Sequence, residues 1–234
     1  MKLFNKKVLA EFLGTAVFLT SIVGANAAGS PLRQASLAIT LALMILLFGS
    51  VSGAHFNPVV STYFYATRAI NLGSLISFIL AQLAGAAAGA WVGITIWGGK
   101  LSYGGSAAPN LLPQLGGEVL ATAGLVALIA QLVRTKNQHL IWAAVGLWVF
   151  AAGTFTQTGA QANPAVSFAL LFAGHAFADQ SLLIIAQFLG MLIAVIVVLL
   201  INAPEKKNAR PSAAKAPART TAARTPEGST APKK

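Results

Sequence analysis

From Val8 to Ala203 the chain runs for 196 residues with only eight charged side chains: Glu11, Arg33, Arg68, Lys100, Glu118, Arg134, Lys136 and Asp179. A soluble domain carries roughly 25% charged residues, against 9% here. A stretch this long and this poor in charge cannot cover its apolar side chains with a water-facing shell, so its solvent is lipid. The other thirteen charges lie in Met1–Lys7 and Pro204–Lys234. The body of the chain is an integral membrane protein with polar ends.

The formal net charge of +11 is a property of those ends rather than of a binding face. Eight of the sixteen Lys and Arg sit in the last 31 residues, spaced by Ala, Pro, Thr and Ser. Such a segment cannot bury enough apolar surface to offset its ordering entropy, so residues 203–234 read as a disordered basic cytoplasmic tail. Basic residues beside a membrane set topology and meet anionic lipid; no nucleic-acid partner is expected. The absence of cysteine excludes disulfides, thiol catalysis and Cys-based metal sites.

A helix needs about 20 apolar residues to cross the hydrocarbon core. Six stretches qualify: Val8–Ala28, Gln34–Val51, Leu75–Trp97, Gly116–Val133, Leu140–Thr156 and Ser181–Asn202. Two apolar pieces, Asn57–Ala66 and Asn163–Ala173, are too short to span. Irregular backbone at membrane depth survives only where it lines a cavity or is buried in protein, so the two half-spans point to a pore or a binding site. With the N-terminus inside, Lys2, Lys6, Lys7, Arg68, Arg134, Lys136 and the tail collect inside, and Arg33 and Lys100 outside. Both termini are therefore expected to be cytoplasmic. The N-terminal stretch, ending in Ala-Asn-Ala, imitates a cleavable signal peptide. Glu11 within its apolar run has a partner elsewhere in the chain, which favours a retained span.

That partner comes from an internal repeat. AEFLGT (Glu11) matches GEVLAT (Glu118) at an offset of 107; HFNPVVS (Asn57) matches QANPAVS (Asn163) at 106; AQLAG (Gln82) matches AQFLG (Gln187) at 105. Two homologous halves follow, about 8–97 and 116–202, within a membrane domain over 8–202 and after a short cytoplasmic segment, 1–7. Three spans per half is an odd number, so the second half enters from the opposite side. An inverted 3+3 repeat places a shared site near the midplane, between interrupted helices.

Each half-span opens on Asn-Pro. Proline suits a first helical turn because its missing N–H had no partner there, and asparagine is a favoured N-cap. Half-helices entering from opposite faces bring their N-termini together at mid-membrane, each carrying about half a positive charge. Two such ends facing one pore repel cations, protons included. The amides of Asn57 and Asn163 can donate to a passing hydroxyl. The small residues before them would present carbonyl acceptors in a ladder, from Gly53, Ala54 and His55 in one loop and Gly159, Ala160 and Gln161 in the other. Donors at the centre of an acceptor ladder suit a neutral, hydrogen-bonding solute.

SGAHFNPVVS and TGAQANPAVSF resemble the two signature loops of the aquaporin, or major intrinsic protein, family over about residues 8–202. The resemblance implies an all-α membrane fold of six transmembrane helices and two re-entrant half-helices. It also implies a passive channel for water or small neutral solutes, usually a homotetramer, with no cofactor and no enzyme activity. Its pore motifs fall on Asn57, Pro58 and Val59 and on Asn163, Pro164 and Ala165. By the same resemblance Glu11 and Glu118 accept hydrogen bonds from the re-entrant loops, and Gln82 and Gln187 brace the same loops.

The sequence departs from the family pattern in two places. Val59 replaces an alanine that packs the half-helices together. Val166 stands where the family usually has an arginine that narrows the outer constriction. Counting as in the family puts the other constriction positions on Leu37, Ala151 and Ala160. Leu, Ala, Ala and Val would make a wide, apolar filter passing glycerol, urea or undissociated metalloid acids, as expected for a divergent bacterial-type member lacking this arginine. The competing expectations are a refilled gap, by Arg33 or Gln161, and a different mode of action, ion-coupled secondary transport of a small polar solute. The stripe Gly85, Gly89, Gly93 reads as close helix packing, and Trp91, Trp97, Trp142 and Trp148 as interface anchors.

Overall fold

The computed structural model describes residues 5–98, 111–172 and 175–204. The expectations for Met1–Phe4, Lys100, Ala173 and the basic tail from residue 205 lie outside the described residues.

Among the described residues, eight helices follow in chain order: α1 (Lys6–Ala27), α2 (Arg33–Ser52), α3 (Pro58–Ala66), α4 (Leu72–Trp97), α5 (Leu111–Arg134), α6 (Ile141–Phe155), α7 (Pro164–Leu171) and α8 (Phe177–Ile201), with a 3₁₀ turn, Gln138–Leu140, before α6. Six helical segments are long and apolar enough to cross a membrane, and α3 and α7, of 9 and 8 residues, are not. α4, α5 and α8 begin three to five residues before the apolar runs marked in the sequence. At α4 the start is set by a cap, the Asn71 side chain accepting from Ser74 N at 2.8 Å; α8 has no side-chain cap, and Asp179 in its first turn sits at the positive helix end.

The repeat is visible in the packing. α1 lies against α4, and α5 against α8. A Cβ on Gly89 would fall 2.1 Å from Ala16 O, and one on Gly190 2.5 Å from Val119 O, so both pairs meet backbone to backbone. The small-residue stripe is therefore a packing surface. α2 and α6, equivalent in the two halves, pack on each other, as do α3 and α7. Trp91, Trp97 and Trp142 are exposed, while Trp148 turns inward and its Nε1 donates to Ala121 O at 2.7 Å.

Candidate pore and its hydrogen-bonded frame

Both re-entrant loops use left-handed backbone at residues that are not glycine. φ is positive at Gly53, Ala54 and Phe56 in the first loop and at Gly159, Ala160 and Ala162 in the second. Each non-glycine residue held there costs about 1–2 kcal/mol. The restraint that holds them is a buried carboxylate. Glu11 accepts from His55 N at 3.0 Å and Phe56 N at 2.7 Å. Glu118 accepts from Gln161 N at 2.9 Å and Ala162 N at 2.7 Å.

Each carboxylate has two more donors. Ser52 Oγ and Gln82 Nε2 reach Glu11, and Thr158 Oγ1 and Gln187 Nε2 reach Glu118. Four donors around two oxygens suit an acceptor-only group. The two glutamines therefore act on the glutamates rather than on the loop backbone directly. Each also donates to a half-helix serine, Gln82 to Ser61 at 2.9 Å and Gln187 to Ser167 at 3.0 Å. Ser167 passes the bond on to Gln161 Oε1 at 2.7 Å. Ser61 lies 3.1 Å from His55 Nδ1, within hydrogen-bond reach. The serines and Ser52/Thr158 were not singled out in the sequence, although an offset of 106 pairs them.

Asn57 and Asn163 cap their half-helices through Oδ1, which accepts from Val59 N and from Ala165 N, both at 2.9 Å. Each amide then crosses to the other loop: Asn57 Nδ2 donates to Ala162 O at 2.7 Å, and Asn163 Nδ2 to Phe56 O at 2.9 Å. These reciprocal bonds, invisible in the sequence, tie the two half-helix ends together. A carboxamide has two N–H donors, so each asparagine keeps one. Both asparagines line a cavity of about 40 Å³ with Gly53, Ala54, His55 and Phe56, opposite an apolar wall that includes Leu41, Ile45 and Val145. A water needs about 10–15 Å³, so the cavity has room for about three or four.

This cavity lies on the side of the first loop. Gly159, Ala160 and Gln161 do not line this cavity. Leu37, Ala160 and Val166 are 0%, 1% and 0% exposed, and Leu37 and Val166 share one apolar cluster with Leu19 and Leu170. The expected filter is apolar, but in this conformation it presents no surface to a water-sized solute, which corrects the expectation of an open, wide gap. Ala151 is a second correction. It is exposed and shares a helix face with Leu147 and Phe150, both exposed. The α6 residues turned inward are Val145, Val149 and Ala152, so the family count along α6 is out of phase with the helix. Gln161 is engaged by Ser167 and does not refill the gap. Gln34 reaches across from α2, its Nε2 3.4 Å from Val149 O and 3.5 Å from Gly159 O.

Six long apolar helices, two Asn-capped half-helices and a donor pair at their junction define a membrane channel of inverted-repeat type. Comparison with known proteins places it within one family. The family model described as "Major intrinsic protein" matches residues 1–198. An aquaglyceroporin, AqpS, of Rhizobium meliloti is 30% identical over 81% of this chain and 87% of its own length. Human aquaporin-1 is 29% identical over 88% of this chain and 86% of its own. Among solved structures, the aquaglyceroporin from Plasmodium falciparum shares the fold with a TM-score of 0.68 at 22% identity, covering 85% of this chain and 96% of that one. The chain belongs to the major intrinsic protein family, a family of channels rather than enzymes.

Proposed function

We propose that the chain is a passive pore for water and small neutral solutes such as glycerol, urea or undissociated metalloid acids. It would act as one subunit of a homotetramer in the plasma membrane, with both termini cytoplasmic. The observation that carries this reading is the pair of crossed asparagines, each with one amide hydrogen left for the cavity they line together. Two half-helix N-termini at the same point favour a solute that accepts hydrogen bonds and oppose one that carries positive charge. Glu11 and Glu118 are each occupied by four donors. That leaves neither carboxylate for coupling transport to an ion gradient.

Light scattering from liposomes holding the purified chain tests the reading. Water and glycerol permeabilities should both exceed those of protein-free vesicles. Glycerol flux should rise linearly with concentration and ignore proton and sodium gradients. Saturable uptake driven by such a gradient would replace the channel with a transporter.

A further inference from the structure

We infer that Gln34 is the specificity-determining residue of the outer constriction, its carboxamide supplying there the hydrogen-bonding groups that Val166 lacks. The inference rests on the channel reading and deepens it. Gln34, Leu41 and Ile45 stand at i, i+7 and i+11 on α2, one stripe of a helix, and Leu41 and Ile45 line the central cavity. On α6 the corresponding stripe is Val145, Val149 and Gly153, and Val145 lines the same cavity. The two helices run antiparallel: Gly146 meets Ala42 and Ala38, whereas Gly153 meets Gln34. At 1.5 Å per residue, seven residues put Gln34 about 10 Å along α2 from Leu41, with Leu37 between them.

The seat for this side chain is built. A Cβ on Gly153 would fall 1.7 Å from Gln34 Nε2, so the glycine is the notch that admits the amide. Nε2 is shared between Val149 O and Gly159 O at 3.4 and 3.5 Å, both longer than the usual 2.7–3.2 Å for an N–H···O bond. Two long bonds from one nitrogen hold the side chain loosely, so they can be exchanged for bonds to a solute. Oε1 makes no hydrogen bond to the described residues and is not among the polar atoms sealed from solvent without a partner. An alcohol needs both a donor and an acceptor when it loses its water, and Leu37 and Val166 offer neither. The carboxamide offers both, without the fixed charge of an arginine.

The test compares glycerol and water permeability of the full chain and two variants in liposomes. Gln34→Met keeps the length of the side chain and removes its polar groups. It should lower glycerol permeability about tenfold and water permeability less than about threefold, because an unpaired polar group at a binding site carries the larger penalty. Gly153→Ala leaves the amide intact but fills its seat, and should shift the glycerol-to-water ratio the same way by about threefold. A ratio within about twofold of wild type in both variants overturns the inference. If Gln34→Met conducts nothing, Gly153→Ala decides alone on the same criterion. Wild-type vesicles no more permeable than protein-free ones would sink the channel reading itself, and this inference with it, before any variant is made.

Discussion

In the first half of the molecule Glu11 holds His55 N and Phe56 N, and Gln82 links that carboxylate to Ser61. In the second half Glu118, Gln161, Ala162, Gln187 and Ser167 repeat the arrangement atom for atom. The space around this frame is filled differently. Gly14 leaves a hole that the Phe56 ring occupies: a Cβ there would lie 2.1 Å from Phe56 Cε1. At the equivalent positions stand Ala121 and Ala162, both buried. The comparison separates two kinds of requirement. Polar partners are fixed by geometry and cannot drift, whereas volume can pass from one residue to its neighbour if the sum is kept.

If the frame is equivalent in both halves, breaking it should cost the same in each. Glu11→Ala and Glu118→Ala each strand four buried donors, and an unsatisfied buried donor costs about 1–3 kcal/mol. Both variants should lose more than about 4 kcal/mol and give little folded protein, read as recovery from size exclusion in detergent. Full recovery of one variant but not the other would show that the two networks are unequal despite their shared geometry.

The packing difference predicts a coupled pair. Phe56→Ala should destabilise by about 3–5 kcal/mol through the cavity it leaves, and Gly14→Ala by about 1–3 kcal/mol through overpacking. Together they recreate the Ala–Ala pair of the second half. The double variant should be more stable than the sum of the single effects by about 0.5–3 kcal/mol in thermal melts. Strict additivity would mean that the two positions do not share one volume.

The crossed asparagines come next in size. Asn57→Asp or Asn163→Asp turns a donor into an acceptor opposite a carbonyl, at a cost of about 1–3 kcal/mol for the lost bond. A carboxylate there would also offset the positive helix ends. Cation conductance in planar bilayers should rise in both variants; an increase in one alone would locate the barrier in one half-helix.

Much of the fold is legible in the sequence. The spans follow from charge scarcity, and the inverted repeat from three motifs at offsets of 105 to 107, because a duplicated frame preserves the residues whose partners are fixed. What the sequence could not show was contact between its halves. The bonds Asn57 Nδ2→Ala162 O and Asn163 Nδ2→Phe56 O end on backbone carbonyls, which no residue type marks. The filter was legible in composition and not in phase. Val166 is apolar by identity, but whether Ala151 or Ala152 faces inward depends on a helix rotation of about 100° per residue. Nothing in the sequence marks Gln34, because polar residues near helix starts usually face water, and only the notch at Gly153 shows that this one turns in.

The smallest expected effect tests the least alike pair in the frame, His55 and Gln161. His55 stacks on Phe64 at 4.5 Å and meets the edge of Phe78 at 5.3 Å. Gln161 has no ring contact among the described residues, and its Oε1 accepts from Ser167 where His55 Nδ1 meets Ser61. Glutamine can therefore replace the histidine as a hydrogen-bond partner of Ser61 but not as a stacking partner. His55→Gln should keep the Ser61 bond and lose aromatic contacts worth about 0.5–1.5 kcal/mol each. The melting temperature should fall by a few degrees, as a loss of about 1–2 kcal/mol does in a chain of this size, while water permeability survives. Loss of permeability with the fold intact would mean that the imidazole does more than hold Ser61 and fill its aromatic niche. The first half would then carry a chemical step along the pore that the second half lacks.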